Sequence, residues 1–114
     1  MESLETRISR LEYYQRLLIQ LLDEERYRFY RLITTANLTE GEVEELLRLC
    51  ESLSKELKKQ KAEGLVIFSP LLTQFAGSLH PKLEVSETID VLLNQGLFVP
   101  LLTVFKELLK KGEY

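Results

Sequence analysis

The sequence predicts an all-α fold: a multihelical bundle of five to six helices, with two long helices in the N-terminal half and a compact three-helix C-terminal half. Three observations carry this. Apolar residues recur at spacings of three and four through most of the 114 residues. Capping residues and single glycines punctuate those runs at helix-length intervals. Only Leu65-Val66-Ile67-Phe68 favours β-structure, and it has no second strand to pair with. A chain this long is expected to fold as a single helical domain over 1–114. The segment 64–70 is the one place where it could divide, into 1–64 and 65–114.

The elements follow in order. Ser3 can cap a first helix that runs to about Leu22. Along it Leu4, Ile8, Leu11, Gln15, Leu18 and Leu22 alternate spacings of four and three, a heptad seam with one polar member. From Leu17 onward the apolar face widens. Asp23-Glu24-Glu25 marks a helix start or a bend, where acids suit the dipole. A second helix, or a continuation of the first, covers residues 26–36, with Tyr27, Tyr30 and Ile33 expected on its core face. Asn37-Leu38 breaks the pattern.

Thr39-Glu40-Gly41-Glu42 reads as a capping box: the Thr39 hydroxyl caps and Glu42 reaches back. The helix it opens extends to about Glu63, roughly 36 Å at 1.5 Å per residue, and Gly64 stops it. Its apolar stripe is Val43, Leu46, Leu47, Cys50, Leu53 and Leu57. Leu65-Val66-Ile67-Phe68 is expected as a buried extended connector. Ser69-Pro70 opens a short helix, with Pro at the first helical position; it carries Leu71, Leu72, Phe75, Ala76 and Leu79 and ends at His80-Pro81. Ser86 is expected to cap the next helix, which buries Ile89, Val91, Leu92 and Leu93 and is followed by Gly96. The last helix spans residues 97–111 with Pro100 near its start. Phe98, Leu101, Leu102, Phe105, Leu108 and Leu109 form its apolar face, and Gly112 ends it.

Composition excludes several classes. The apolar and charged fractions, 45% and 29%, rule out wholesale disorder. Five Gly and three Pro rule out collagen-like and linker-rich chains. A net charge of −3 argues against a general DNA binder, which needs a basic surface. The lone Cys50 cannot form an internal disulfide, and the N-terminus has no secretory apolar run. Both point to the cytoplasm. The longest charge-free stretch, residues 64–79, is too broken by polar residues to span a bilayer, so no membrane association is expected.

Catalysis needs a constellation, and none stands at an informative spacing. His80 is the only histidine, and Ser78 two residues away would point elsewhere on a helix. One Cys and one His do not build a zinc site. Glu40, Glu42, Glu44 and Glu45 suit a solvated helix start better than a cation site. The glycines are scattered singly, so no phosphate cradle exists. Cys50 sits on an apolar stripe and reads as a small buried hydrophobe. No enzyme, no cofactor and no metal are expected.

One feature stands out. All seven Arg precede residue 49 and all eight Lys follow residue 54. Arg26-Tyr27-Arg28-Phe29-Tyr30-Arg31 interleaves cations with aromatics, so Arg26, Arg28 and Arg31 are possible contacts for an anionic ligand or nucleic acid. Asp23, Glu24 and Glu25 just upstream weaken that, with Glu24 placed to pair with Arg28. A helix-turn-helix built on residues 26–36 and the helix after Thr39 is electrostatically wrong, because its reading helix would open with four acids.

The two long helices each approach the diameter of about 35 Å expected for a compact chain of this length. The first helix is therefore expected to pack against a second copy through Leu4, Ile8, Leu11, Gln15, Leu18 and Leu22, with a dimer as the commonest arrangement. The intramolecular alternative is an antiparallel hairpin with the helix after Thr39.

Arg7-Ile8-x-Arg10-Leu11-Glu12-Tyr13-Tyr14 and Arg26-Tyr27-x-Phe29-Tyr30 form a distinctive ordered set with four later segments. These are Gln60-Lys61-Ala62-x-Gly64, Phe75-Ala76-Gly77, Glu87-Thr88-Ile89 and Asn94-Gln95-Gly96-Leu97. Together they resemble the YhaI-like family of small uncharacterised Bacillus proteins over nearly the whole chain. The resemblance implies an all-helical protein of a Gram-positive cytoplasm with no assigned activity, and it transfers no site residue. The function expected is unknown in detail: a non-enzymatic, oligomeric helical protein acting through contacts with its own copies and an unidentified protein partner. The alternative is a nucleic-acid-associated or regulatory protein using Arg26, Arg28 and Arg31.

Overall fold

The computed structural model describes residues 1–112. Among them are six α-helices and no strand: α1 (Leu4–Gln20), α2 (Arg28–Thr35), α3 (Glu40–Ala62), α4 (Ser69–Ser78), α5 (Val85–Asn94) and α6 (Val99–Lys111). Two 3₁₀ turns, Leu21–Asp23 and Glu25–Tyr27, join α1 to α2. The all-α multihelical class is as the periodicity implies.

The caps explain the boundaries. The Ser3 side chain accepts the Thr6 N–H, and Thr39 and Glu42 form the complete reciprocal box at the start of α3. Asn37 at φ 56° and Gly64 at φ 84° turn the chain out of α2 and α3 in the left-handed region. The next N–H then bonds back across the helix end, Leu38 to the Ile33 carbonyl at 3.0 Å and Leu65 to the Gln60 carbonyl at 2.9 Å.

One core cluster runs from Phe29 to Phe105 and draws on α2 through α6. α6 lies at its centre, touching α3, α4 and α5, while α5 also touches α2. Leu101, Leu102 and Phe105 of α6 are fully buried, and the Phe105 ring tilts against Phe75 at 5.3 Å between centroids. Leu46, Cys50, Leu53 and Leu57 of α3 are buried, with Val43 and Leu47 packed at their edge.

α1 stands apart from this core. None of its residues is buried, and its principal neighbours are the first 3₁₀ turn and α2. The chain accordingly measures 64 × 25 × 20 Å, with a radius of gyration of 17.4 Å, against about 13 Å for a compact globule of this length. The antiparallel hairpin between α1 and α3 does not form.

Several local expectations are corrected. α1 ends at Gln20, and Leu22 lies in a 3₁₀ turn with non-helical φ/ψ of −90° and 17°, so the last seam residue leaves the helical line. The core face of α2 is Phe29 and Leu32 rather than Tyr27 and Tyr30, since the chain restarts its helical phase after the break at Glu24. Leu65, Val66 and Ile67 are exposed, because the connector crosses the surface between α3 and α4 rather than the interior. Phe68 precedes α4, and Ser69 takes the first helical position ahead of Pro70. Glu84, not Ser86, caps α5, its carboxylate accepting the N–H groups of Ser86 and Glu87 at 3.0 and 2.7 Å. α6 begins at Val99 because Phe98 takes a left-handed conformation at φ 49°, and this residue is held against the core.

Candidate functional site

The exposed seam of α1 is the main candidate. Leu4, Ile8, Leu11 and Leu18 are 69%, 48%, 64% and 60% exposed. Gln15 is exposed between them, and Leu22 is half-buried beyond the helix end. The apolar surface is broader than the seam: Tyr13, Tyr14, Leu17 and Leu21 are also exposed. Tyr13 and Tyr14 pack at 6.0 Å, and the Arg16 guanidinium lies 5.8 Å from the Tyr13 ring. An α-helix carries such a row only where something covers it or where exposure is functional.

The three arginines proposed to meet anions occupy one region but are each paired. Arg26 bonds Glu24 at 2.9 Å, Arg28 approaches Glu25 at 3.6 Å and Arg31 approaches Asp23 at 3.2 Å. The Arg28 partner is thus Glu25, because the break at Glu24 removes the helical spacing that would have brought Glu24 to it. Arg26 also covers the Tyr27 ring at 4.8 Å. Tyr30 is exposed, contrary to its expected place in the core, and its ring tilts against Phe29 at 5.8 Å between centroids. Arg28 and Arg31 line an open groove of about 440 Å³ with Leu32, Thr35, Glu87 and Val91. Three local carboxylates cancel three cations, and Glu87 adds a fourth acid. Wild-type protein is therefore expected to pass a nucleic-acid column at low salt without retention; retention that weakens with salt would show that phosphates displace these carboxylates.

A polar cluster that sequence alone did not reveal joins α3 to the loop after α4. Glu42 accepts the Thr39 N–H at 2.8 Å and the Lys82 ammonium at 3.1 Å, and its other carboxylate oxygen lies 2.6 Å from His80 Nε2. His80 Nδ1 accepts the Lys82 backbone N–H at 3.0 Å, and the Lys82 ammonium also reaches the Asn37 carbonyl at 2.9 Å. The only hint was the capping box, which fixed Glu42 but not its distant partners. The Thr39 N–H first, then Lys82 and His80, hold the Glu42 carboxyl down at about 2, against its ordinary 4.5.

The native state therefore favours the Glu42 carboxylate. Its stabilisation is complete above pH 4.5 and is lost as pH falls through about 2. Wild type should exceed Glu42→Gln in thermal midpoint near neutrality, with the gap closing on acidification across that window. A gap independent of pH would show that the charge of Glu42 contributes nothing.

This cluster is poorly suited to base catalysis. His80 Nδ1 accepts the Lys82 N–H and Nε2 faces the Glu42 carboxylate, so neither nitrogen is directed to Ser78 by a hydrogen bond among the described residues. Cys50 is fully buried, and burial pushes its thiol up to about 12, which keeps it protonated and unreactive. Among the described residues no group of His, Cys, Asp and Glu could hold a metal ion, and no helix is long and apolar enough to cross a membrane.

Residues 1–110 match the model of a family described as "Protein of unknown function (DUF1878)".

Proposed function

The chain belongs to this DUF1878 family of unknown function, and from that premise we propose a non-enzymatic, oligomeric helical protein that acts through protein–protein contacts, with α1 as its self-association element. One observation carries the proposal: the 17-residue α1 has no buried side chain and presents Leu4, Ile8, Leu11 and Leu18 in a row. The core formed by α2–α6 includes no residue of α1, which leaves the apolar row of that helix for another contact. The Lys82 N–H held on His80 Nδ1 and the burial of the Cys50 thiol are the observations behind the non-enzymatic reading. The same residue pattern supports placing the chain in the YhaI-like group. Its free cysteine suits a reducing bacterial cytoplasm.

The experiment is sedimentation equilibrium on wild type and on the Leu11→Glu/Leu18→Glu double variant. Wild type should have the mass of a dimer and the variant that of the 13.3 kDa monomer. A wild type that stays monomeric at all concentrations would overturn the proposal.

A further inference from the structure

We infer that α1 pairs with α1 of a second copy as a parallel, in-register, two-stranded coiled coil, aligned by Gln15 against the partner's Gln15 and by Arg7 against the partner's Glu12. The inference rests on the self-association reading above and adds the orientation and the pairing residues.

The heptad register supplies the first argument. The spacings place Leu4, Leu11 and Leu18 at d positions and Ile8 and Gln15 at a positions. In a parallel coiled coil a β-branched a residue such as Ile8 with Leu at d favours two strands, and one polar a residue sets the register. In the parallel arrangement each layer meets its own copy, so the Gln15 amides can hydrogen-bond to each other. In the antiparallel arrangement a meets d, Gln15 faces Leu11, and its amide is left without a partner on desolvation.

The flanking positions supply the second argument. Glu5, Glu12 and Ile19 stand at e, and Arg7 and Tyr14 at g. A parallel pair brings each g residue to the e residue five places later on the other strand. Arg7 then meets Glu12 twice across the two-fold axis, and Tyr14 meets Ile19. An antiparallel pair would bring Glu12 against the partner's Glu12 and Glu5 against Ile19.

The structure adds a third observation. Arg10 is bonded to Glu2, and Arg26, Arg28 and Arg31 are each paired with an acid, yet Arg7 and Glu12 pair with no charged group among the described residues. Two opposite charges stand unspent on the rim of the exposed seam, one g-to-e step apart. Since the body of the chain follows the C-terminal end of α1, parallel pairing sets both bodies at one end and both N-termini at the other.

Charge exchange on the full chain tests this. Arg7→Glu alone and Glu12→Arg alone should each raise the dimer dissociation constant about tenfold, through two like-charge contacts per dimer. The Arg7→Glu/Glu12→Arg double variant should return close to wild type, and an equimolar mixture of the two single variants should form heterodimers. Leu4→Cys should cross-link to its own copy under a mild thiol oxidant, because the native Cys50 is fully buried and does not compete. A wild-type dimer in which Leu4→Cys fails to cross-link and the single charge variants have no effect would overturn the parallel pairing alone. A trimeric mass would overturn the two-stranded state. A monomeric wild type would overturn the self-association reading beneath both. Circular dichroism of each variant confirms that the helices persist.

Discussion

Phe105→Ala is expected to cost about 3–5 kcal/mol of folding free energy, the largest effect of any single substitution considered. Its ring is fully buried at the centre of α6, where it meets Phe75 and is enclosed by a helix touching α3, α4 and α5. Truncation removes the transfer energy of the ring and leaves a cavity that three neighbouring helices cannot all collapse into. Small domains are stable by about 5–15 kcal/mol, so this loss is a large share of the total. At fixed protein concentration the thermal midpoint should fall by roughly 10–25 °C. A fall of only a few degrees would mean that α6 is not the centre of the core. Leu4→Ala, on a residue 69% exposed, is the contrasting control: it should leave the folding of the α2–α6 body unchanged.

Leu11→Glu/Leu18→Glu should produce the other large effect, and of the opposite kind. Neither side chain contributes to the core, so the body formed by α2–α6 should keep its helicity and fold. In a paired α1, by contrast, two carboxylates per chain would enter desolvated d layers beside their own copies, at a cost that a coiled coil of fewer than three heptads cannot absorb. The expected result is a monomer at concentrations where wild type is a dimer, together with some fraying of α1 itself. Loss of the whole fold would instead show that α1 supports the body within one chain.

The two variants separate what the helical pattern could not. Leu4, Ile8, Leu11 and Leu18 on α1 repeat with the same three-and-four spacing as Leu46, Cys50, Leu53 and Leu57 on α3. The first set is wholly exposed and the second wholly buried. Periodicity states that a face is to be covered, and says nothing of whether the cover comes from the same chain. The caps at Ser3 and Thr39 and the exits at Asn37 and Gly64 were legible because each depends on residues within four positions of the helix end. Leu65-Val66-Ile67 misled for the opposite reason: composition alone suggested burial, while exposure depends on the path taken between α3 and α4.

The arginine cluster shows the same division. That Arg26, Arg28 and Arg31 lie near one another follows from their proximity in the chain. Which acids they meet was decided by the break at Glu24, which ends one helical phase and starts another. The Glu42, His80 and Lys82 cluster lay further from view, since its partners are about forty residues apart and share no local pattern.

By itself, then, the sequence determined the helical class, a count of five to six helices in their order, and the caps at Ser3 and Thr39 with the exits at Asn37, Gly64 and Gly112, since these rest on spacing and on hydrogen bonds between near neighbours. Only the tertiary structure decided that α1 stands outside the core, that Glu42 joins α3 to a distant loop and that each patch arginine has its own carboxylate. Those outcomes depend on which surfaces meet, and contact between residues far apart in the chain is set by packing rather than by local periodicity.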